Sequence, residues 1–133
     1  MAATNLGTMF RGDSKTVQFT LDGTKLPVGG VANFKFWFTA KNAVADLDAA
    51  AVWQKAGVPG NLGDWTIVTA GDPSTNPATN AVVNVAILPA DTTSFPDYAQ
   101  TVSWDFQVED ASGNVTTAAQ GTLTVNPDYT RAS

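Results

Sequence analysis

Apolar and polar residues alternate in several short stretches of this chain, which is the period of a β-strand with one buried face. In residues 16–21, Val17, Phe19 and Leu21 share a face before Asp22-Gly23-Thr24 breaks the run with turn residues. Residues 32–40 place Phe34, Phe36 and Phe38 on one side and Lys35 and Trp37 on the other. Three phenylalanines in register predict an anchor for a core between two sheets. Residues 65–69 read as a further strand, and residues 80–88 align Val83, Val85 and Ile87. The clearest strand is 100–109, with Val102, Trp104, Phe106 and Val108 facing in and Ser103, Asp105, Gln107 and Glu109 facing out. Residues 115–125 close the series, with Gly121, Leu123 and Val125 aligned.

The segments between these strands predict the rest of the layout. The Ala/Asp-rich stretch 46–51 has the composition of one or two helical turns, and 52–55 reads as a short edge strand. Residues 57–63 and 71–79 are loops rich in Gly, Pro, Asp and Asn. Residues 89–96 predict a short helical turn with Asp91 as its cap. Residues 110–114 form a hairpin loop, and Asn126-Pro127-Asp128 stops the last strand. Long helical patterns between strands are missing, which argues against a parallel α/β sheet. The expectation is an all-β, immunoglobulin-like antiparallel β-sandwich of about seven to eight strands. A small barrel is the alternative that the pattern does not separate. The sandwich is expected over 11–126, with an N-terminal arm at 1–10 that orders on docking and a loose C-terminal tail at 127–133.

Composition narrows the function. The 133 residues suit one domain, and 44 % hydrophobic content is that of a folded chain. Charged residues reach only 14 %, so Thr, Asn, Gln, Ser and Ala cover the surface. A net charge of −5 with seven scattered Lys and Arg argues against nucleic acid and against an anionic membrane. Cysteine and histidine are both absent, which removes disulfides, thiol nucleophiles and Cys/His metal sites. No apolar run approaches the roughly eighteen residues of a membrane span. Met1-Ala2-Ala3-Thr4-Asn5 lacks the charged start and apolar core of a signal peptide.

Candidate chemistry is sparse. Without histidine, acid–base work would fall to carboxylates, yet Asp105 and Glu109 lie on the solvent face of their strand. Asp46 and Asp48 lack the Gly and distal Glu of a calcium loop. Gly29-Gly30 reads as a turn, without the spacing or Lys of a phosphate loop. Arg11-Gly12-Asp13 spells an integrin-binding tripeptide but also suits an entry turn to the first strand. No catalytic residue, cofactor or metal site is expected. Of the four tryptophans, Trp104 reads as core. Trp37, Trp53 and Trp65 are the candidate interaction residues, for a protein contact or for stacking on a sugar.

The order of segments carries a resemblance. Arg11-Gly12-Asp13 opens a strand, residues 31–41 end in an aromatic-Thr-Ala-Lys run, and Val52-Trp53-Gln54-Lys55 follows an Asp/Ala-rich stretch. Ile87-Leu88-Pro89-Ala90-Asp91-Thr92, Trp104-Asp105-Phe106-Gln107-Val108, Asp110-Ala111-Ser112-Gly113-Asn114-Val115 and Gly121-Thr122-Leu123-Thr124-Val125 come later. From about residue 11 to residue 131 this resembles the immunoglobulin-like domain of tailed-phage virion proteins, similar to the N-terminal domain of phage baseplate upper proteins. The resemblance implies a structural virion component, assembled in the host cytoplasm and forming a homo-oligomer on the particle. It implies other virion proteins as partners, namely the major capsid protein or tail and baseplate proteins. A baseplate upper protein continues into a fibre-like region, whereas the sequence here stops at Ser133. The first expectation is therefore a capsid decoration (cement) protein. A tail or baseplate structural protein is the alternative, and a carbohydrate-binding module using the tryptophans is the other.

Overall fold

The computed structural model describes residues 3–42, 51–93, 95 and 98–127. The helical turn expected over 46–51 lies outside these residues except for Ala51, as do the Asp46/Asp48 pair and the tail beyond residue 127. The described residues form eight strands: β1 (Ala3–Phe10), β2 (Lys15–Leu21), β3 (Lys35–Lys41), β4 (Trp53–Gly57), β5 (Trp65–Thr69), β6 (Ala81–Ile87), β7 (Gln100–Glu109) and β8 (Val115–Asn126). They build a five-stranded sheet in the order β1-β8-β7-β3-β4 and a three-stranded sheet in the order β2-β6-β5. The chain crosses between sheets after β1, β2, β4 and β6, and makes same-sheet neighbours of β3/β4, β5/β6 and β7/β8. This is an immunoglobulin-like sandwich.

The alternation read along the chain becomes the inside of that sandwich. Val17 and Phe19 of β2, Phe36 and Phe38 of β3, Val83, Val85 and Ile87 of β6, and Val102, Trp104, Phe106 and Val108 of β7 are all buried. Phe34 is buried too, but it belongs to the turn before β3 and not to the strand itself. Across the two sheets Phe19 stacks on Phe106, with ring centroids 4.2 Å apart and planes 12° from parallel. Phe38, Trp65 and Trp104 surround Phe19 at 5.6–6.4 Å. In many immunoglobulin-like domains the same pair of facing strands is joined by a disulfide. Here a chain without cysteine pins its sheets with an aromatic stack, which gains from both area burial and ring geometry.

Two expectations change. Residues 3–10, expected as part of a free arm, form β1, which runs parallel to β8 from Ala3↔Gln120 to Phe10↔Asn126. The pairing supplies backbone partners along the edge of β8, and the buried Met9 side chain anchors it. No period-two signal announced this strand, because its register shifts between Asn5 and Thr8. In the single helical turn α1 (Pro89–Thr92) the N-cap position is Leu88, not Asp91. The Asp91 carboxylate instead reaches back from inside the turn and accepts the Leu88 N–H at 2.7 Å. It satisfies an orphan donor from the other direction.

Candidate interaction surfaces

The three candidate tryptophans do not share a surface. Trp53 on β4 is 6 % exposed and Trp65 on β5 is 3 % exposed, and both belong to the core. Trp53 stacks on Phe95, and Trp65 on Phe36. The Trp65 indole N–H donates to the Lys55 carbonyl at 3.1 Å. Gly57 makes room for that ring, since a Cβ there would stand 2.6 Å from the Trp65 indole. Both side chains are thus removed from any stacking platform. Each sits at the first residue of a short edge strand, where a large ring turned inward covers the open side of the sandwich. Trp37 alone of the three lies on the outer face of the five-stranded sheet, half-buried.

Further along the face that holds Trp37 is a shallow hollow of about 250 Å³, lined by Thr39, Lys41, Ser103, Asp105, Gln120 and Thr122 among others. Thr39 Oγ1 accepts the Gln54 amide at 3.2 Å, so its hydroxyl is held in place although the side chain is buried. Asp105 faces outward as expected, and Glu109 pairs with Lys35 at 3.3 Å. Among the described residues no three His, Cys, Asp or Glu side chains gather to hold a metal ion.

Arg11-Gly12-Asp13 is tied into the fold. Arg11 Nη1 donates to the Phe95 carbonyl at 2.9 Å, and the Gly12 N–H donates to the buried Thr92 Oγ1 at 2.8 Å. The tripeptide clasps the β1–β2 corner to the turn before β7, which is the structural reading of its sequence.

Pattern reading missed a charged cluster. Lys55 on β4, 10 % exposed, places Nζ 2.8 Å from Asp64 and 2.6 Å from Asp91. Burial pulls the ammonium pKa down, but the hydrogen bonds to Asp64 and Asp91 outweigh it and hold the group above its ordinary 10.5. The triad joins β4 to the turn before β5 and to α1. Its members are far apart in sequence, so nothing local signals it. A second hollow, of about 420 Å³, opens between the end of β2 and the start of β8, with buried Phe34 and Val108 in its lining. No helix among the described residues is long and apolar enough to cross a membrane.

No known family matches the sequence, and no curated protein does. Comparison with solved structures returns distant likenesses. The inferred receptor-binding domain of a human endogenous retrovirus envelope aligns over 96 % of this chain and 91 % of its own, at 12 % identity and a TM-score of 0.40. The sialic-acid-binding region of a Streptococcus sanguinis adhesin aligns over 99 % of this chain but 31 % of its own, at 14 % identity and a TM-score of 0.40. Likenesses at this level say nothing of what the present chain binds.

Proposed function

We propose that this chain is a structural accessory protein of a tailed-phage virion, a capsid decoration protein that attaches to the particle surface and works by binding other virion proteins. The observation that carries this reading is the Phe19–Phe106 stack standing where a disulfide would otherwise pin the sheets. A sandwich held in this way folds in a reducing cytoplasm, where virions assemble, and needs no oxidation to persist outside it. The ordered segments that resemble the phage domain support the same reading. Among the described residues β2, β4 and β5 are edge strands, which offer backbone groups to neighbouring subunits, and repetition over a symmetric lattice lets weak contacts sum by avidity. Quantitative mass spectrometry of separated heads and tails tests it. Abundant recovery with heads is the expected result, and recovery with tails alone would replace decoration by a tail or baseplate role.

A second reading has its own observation. Trp37 is half-buried on the face that also carries the polar hollow around Thr39, Ser103 and Asp105, so a ring and polar groups of the kinds a sugar uses share one face of the sheet. Glycan-array binding that Trp37→Ala abolishes would favour this reading, whereas Trp53→Ala and Trp65→Ala would act only through the fold.

A further inference from the structure

The two sheets of the sandwich turn different outer faces to solvent. On the five-stranded sheet the outward side chains of β3 and β7 include Lys35, Lys41, Asp105 and Glu109. On the three-stranded sheet, alternation turns Thr16, Gln18 and Thr20 of β2 outward, with Val82, Asn84 and Ala86 of β6 beside them. Thr66 and Val68 of β5 complete this face. None of these eight residues carries a charge. Thr16, Gln18, Thr20, Thr66 and Val68 are exposed, Val68 to 55 %. The strand register sets Gln18, Asn84 and Thr66 in one row across the middle of the face.

We propose that this uncharged face is a self-association surface, on which a second copy of the chain packs face to face about a two-fold axis. Charge selects that occupant. Each copy carries −5, so two copies repel unless they meet where no like charges are set opposite each other. The five-stranded face would bring Lys35, Lys41, Asp105 and Glu109 into the contact, whereas the three-stranded face brings no ion that must lose its water. Hydroxyls and amides also suit their own image, because each of these groups both donates and accepts. A two-fold contact places the same patch on both sides, and an axis lying over Asn84 lays the row Gln18-Asn84-Thr66 across its own copy. Val68, Val82 and Ala86 add apolar area to the contact. Size sets the strength. At a rise of about 3.3 Å and a strand spacing of about 4.8 Å, the face measures about 23 Å by 14 Å, or about 300 Å². Two such faces bury about 600 Å², half of what the smallest stable interfaces bury. The pair is therefore weak, with a dissociation constant of about 1 mM, and fills where copies are crowded. The inference rests on the virion role proposed above only for the place where such crowding occurs.

The test uses the whole chain by itself, by sedimentation equilibrium and amide NMR between about 0.05 and 2 mM. A monomer–dimer equilibrium is expected, with shifts that move with concentration on β2, β5 and β6 and stay fixed on β3 and β7. Raising salt from about 0.02 to 0.15 M screens the repulsion between two chains of charge −5 and should strengthen the pair. The double variant Gln18→Lys/Thr66→Lys sets like charges against each other and should weaken self-association about tenfold or more, as should Gln18→Glu/Thr66→Glu. Both positions are exposed, so melting temperatures should shift by no more than about 5 °C. Mixing the two variants should restore a pair, about tenfold or more tighter than either variant alone, and this pair weakens as salt rises. No concentration dependence up to about 2 mM, shifts confined to another surface, or a lysine variant that associates as the parent does overturns the contact. A chain that pairs in this way but fails to decorate heads overturns the virion role alone. One that decorates heads without pairing overturns the contact alone.

Discussion

Replacing Phe19 by alanine removes the ring that joins the two sheets at their centre. The side chain is 7 % exposed and touches four other rings, from Phe106 at 4.2 Å to Trp65 at 6.4 Å. Truncating a buried phenylalanine costs about 3–5 kcal/mol, part of it from the cavity left between side chains that cannot collapse. A domain of this length is stable by about 7–20 kcal/mol, so the loss is a large fraction of the total. The stack with Phe106 accounts for about 1 kcal/mol beyond area burial. Phe19→Leu should therefore cost about 1–2 kcal/mol, and the cycle with Phe106→Leu should return a coupling of about 1 kcal/mol. Urea denaturation followed by tryptophan fluorescence measures all four proteins, with m-values expected to stay constant. A cost for Phe19→Ala below about 1.5 kcal/mol, or a coupling within about 0.3 kcal/mol of zero, would refute the claim that this stack takes the place of a disulfide.

Other expectations follow from the same contacts. Gly30 has φ +65°, and a Cβ there would collide with the Ala70 carbonyl oxygen, whereas Gly60 at φ +84° meets open space. Thermal melts should show Gly60→Ala costing about 1–2 kcal/mol for the backbone alone and Gly30→Ala clearly more. Thr92→Val leaves the buried Gly12 N–H without its acceptor and should cost about 1–3 kcal/mol in denaturant titration. Lys55→Met strands Asp64 and Asp91; with Asp64 about one-third exposed to solvent, a loss of about 2 kcal/mol at pH 7 is expected. Because the folded pKa of Lys55 is raised, its contribution is complete below 10.5 and is lost as pH rises through the higher folded value. Melts across pH 9–12 should accordingly show the variant and the parent converging at the alkaline end. Asp22, Asp72 and Asp110 have lowered pKa values, by hydrogen bonds led by the Thr24 hydroxyl, the Ser74 hydroxyl and the Asn114 N–H respectively. Their contribution is present above 3.8 and fades as pH falls through their lower folded values, so replacing all three by Asn should flatten the acid limb of the stability curve.

Alternation alone determined most of this sandwich. The inward residues of β2, β6 and β7 are those the period of two selects, because a pleated strand with one wet face leaves hydrophobicity no other pattern. The same local logic read Arg11-Gly12-Asp13 and Gly29-Gly30 as turns, since turn preference acts within a few residues. Tertiary structure alone decided three other matters. Trp53 and Trp65 went inward because facing rings and Gly57 supply their seats, and the rings, Phe95 and Phe36, come from distant segments. Residues 3–10 became a strand because β8 offers an edge 117 residues away along the register Ala3↔Gln120, a pairing without a local signature. Lys55, Asp64 and Asp91 converge for the same physical reason. Such features depend on which strands the fold brings side by side and on where each one starts and stops, and neither is encoded in the side-chain pattern of a single strand.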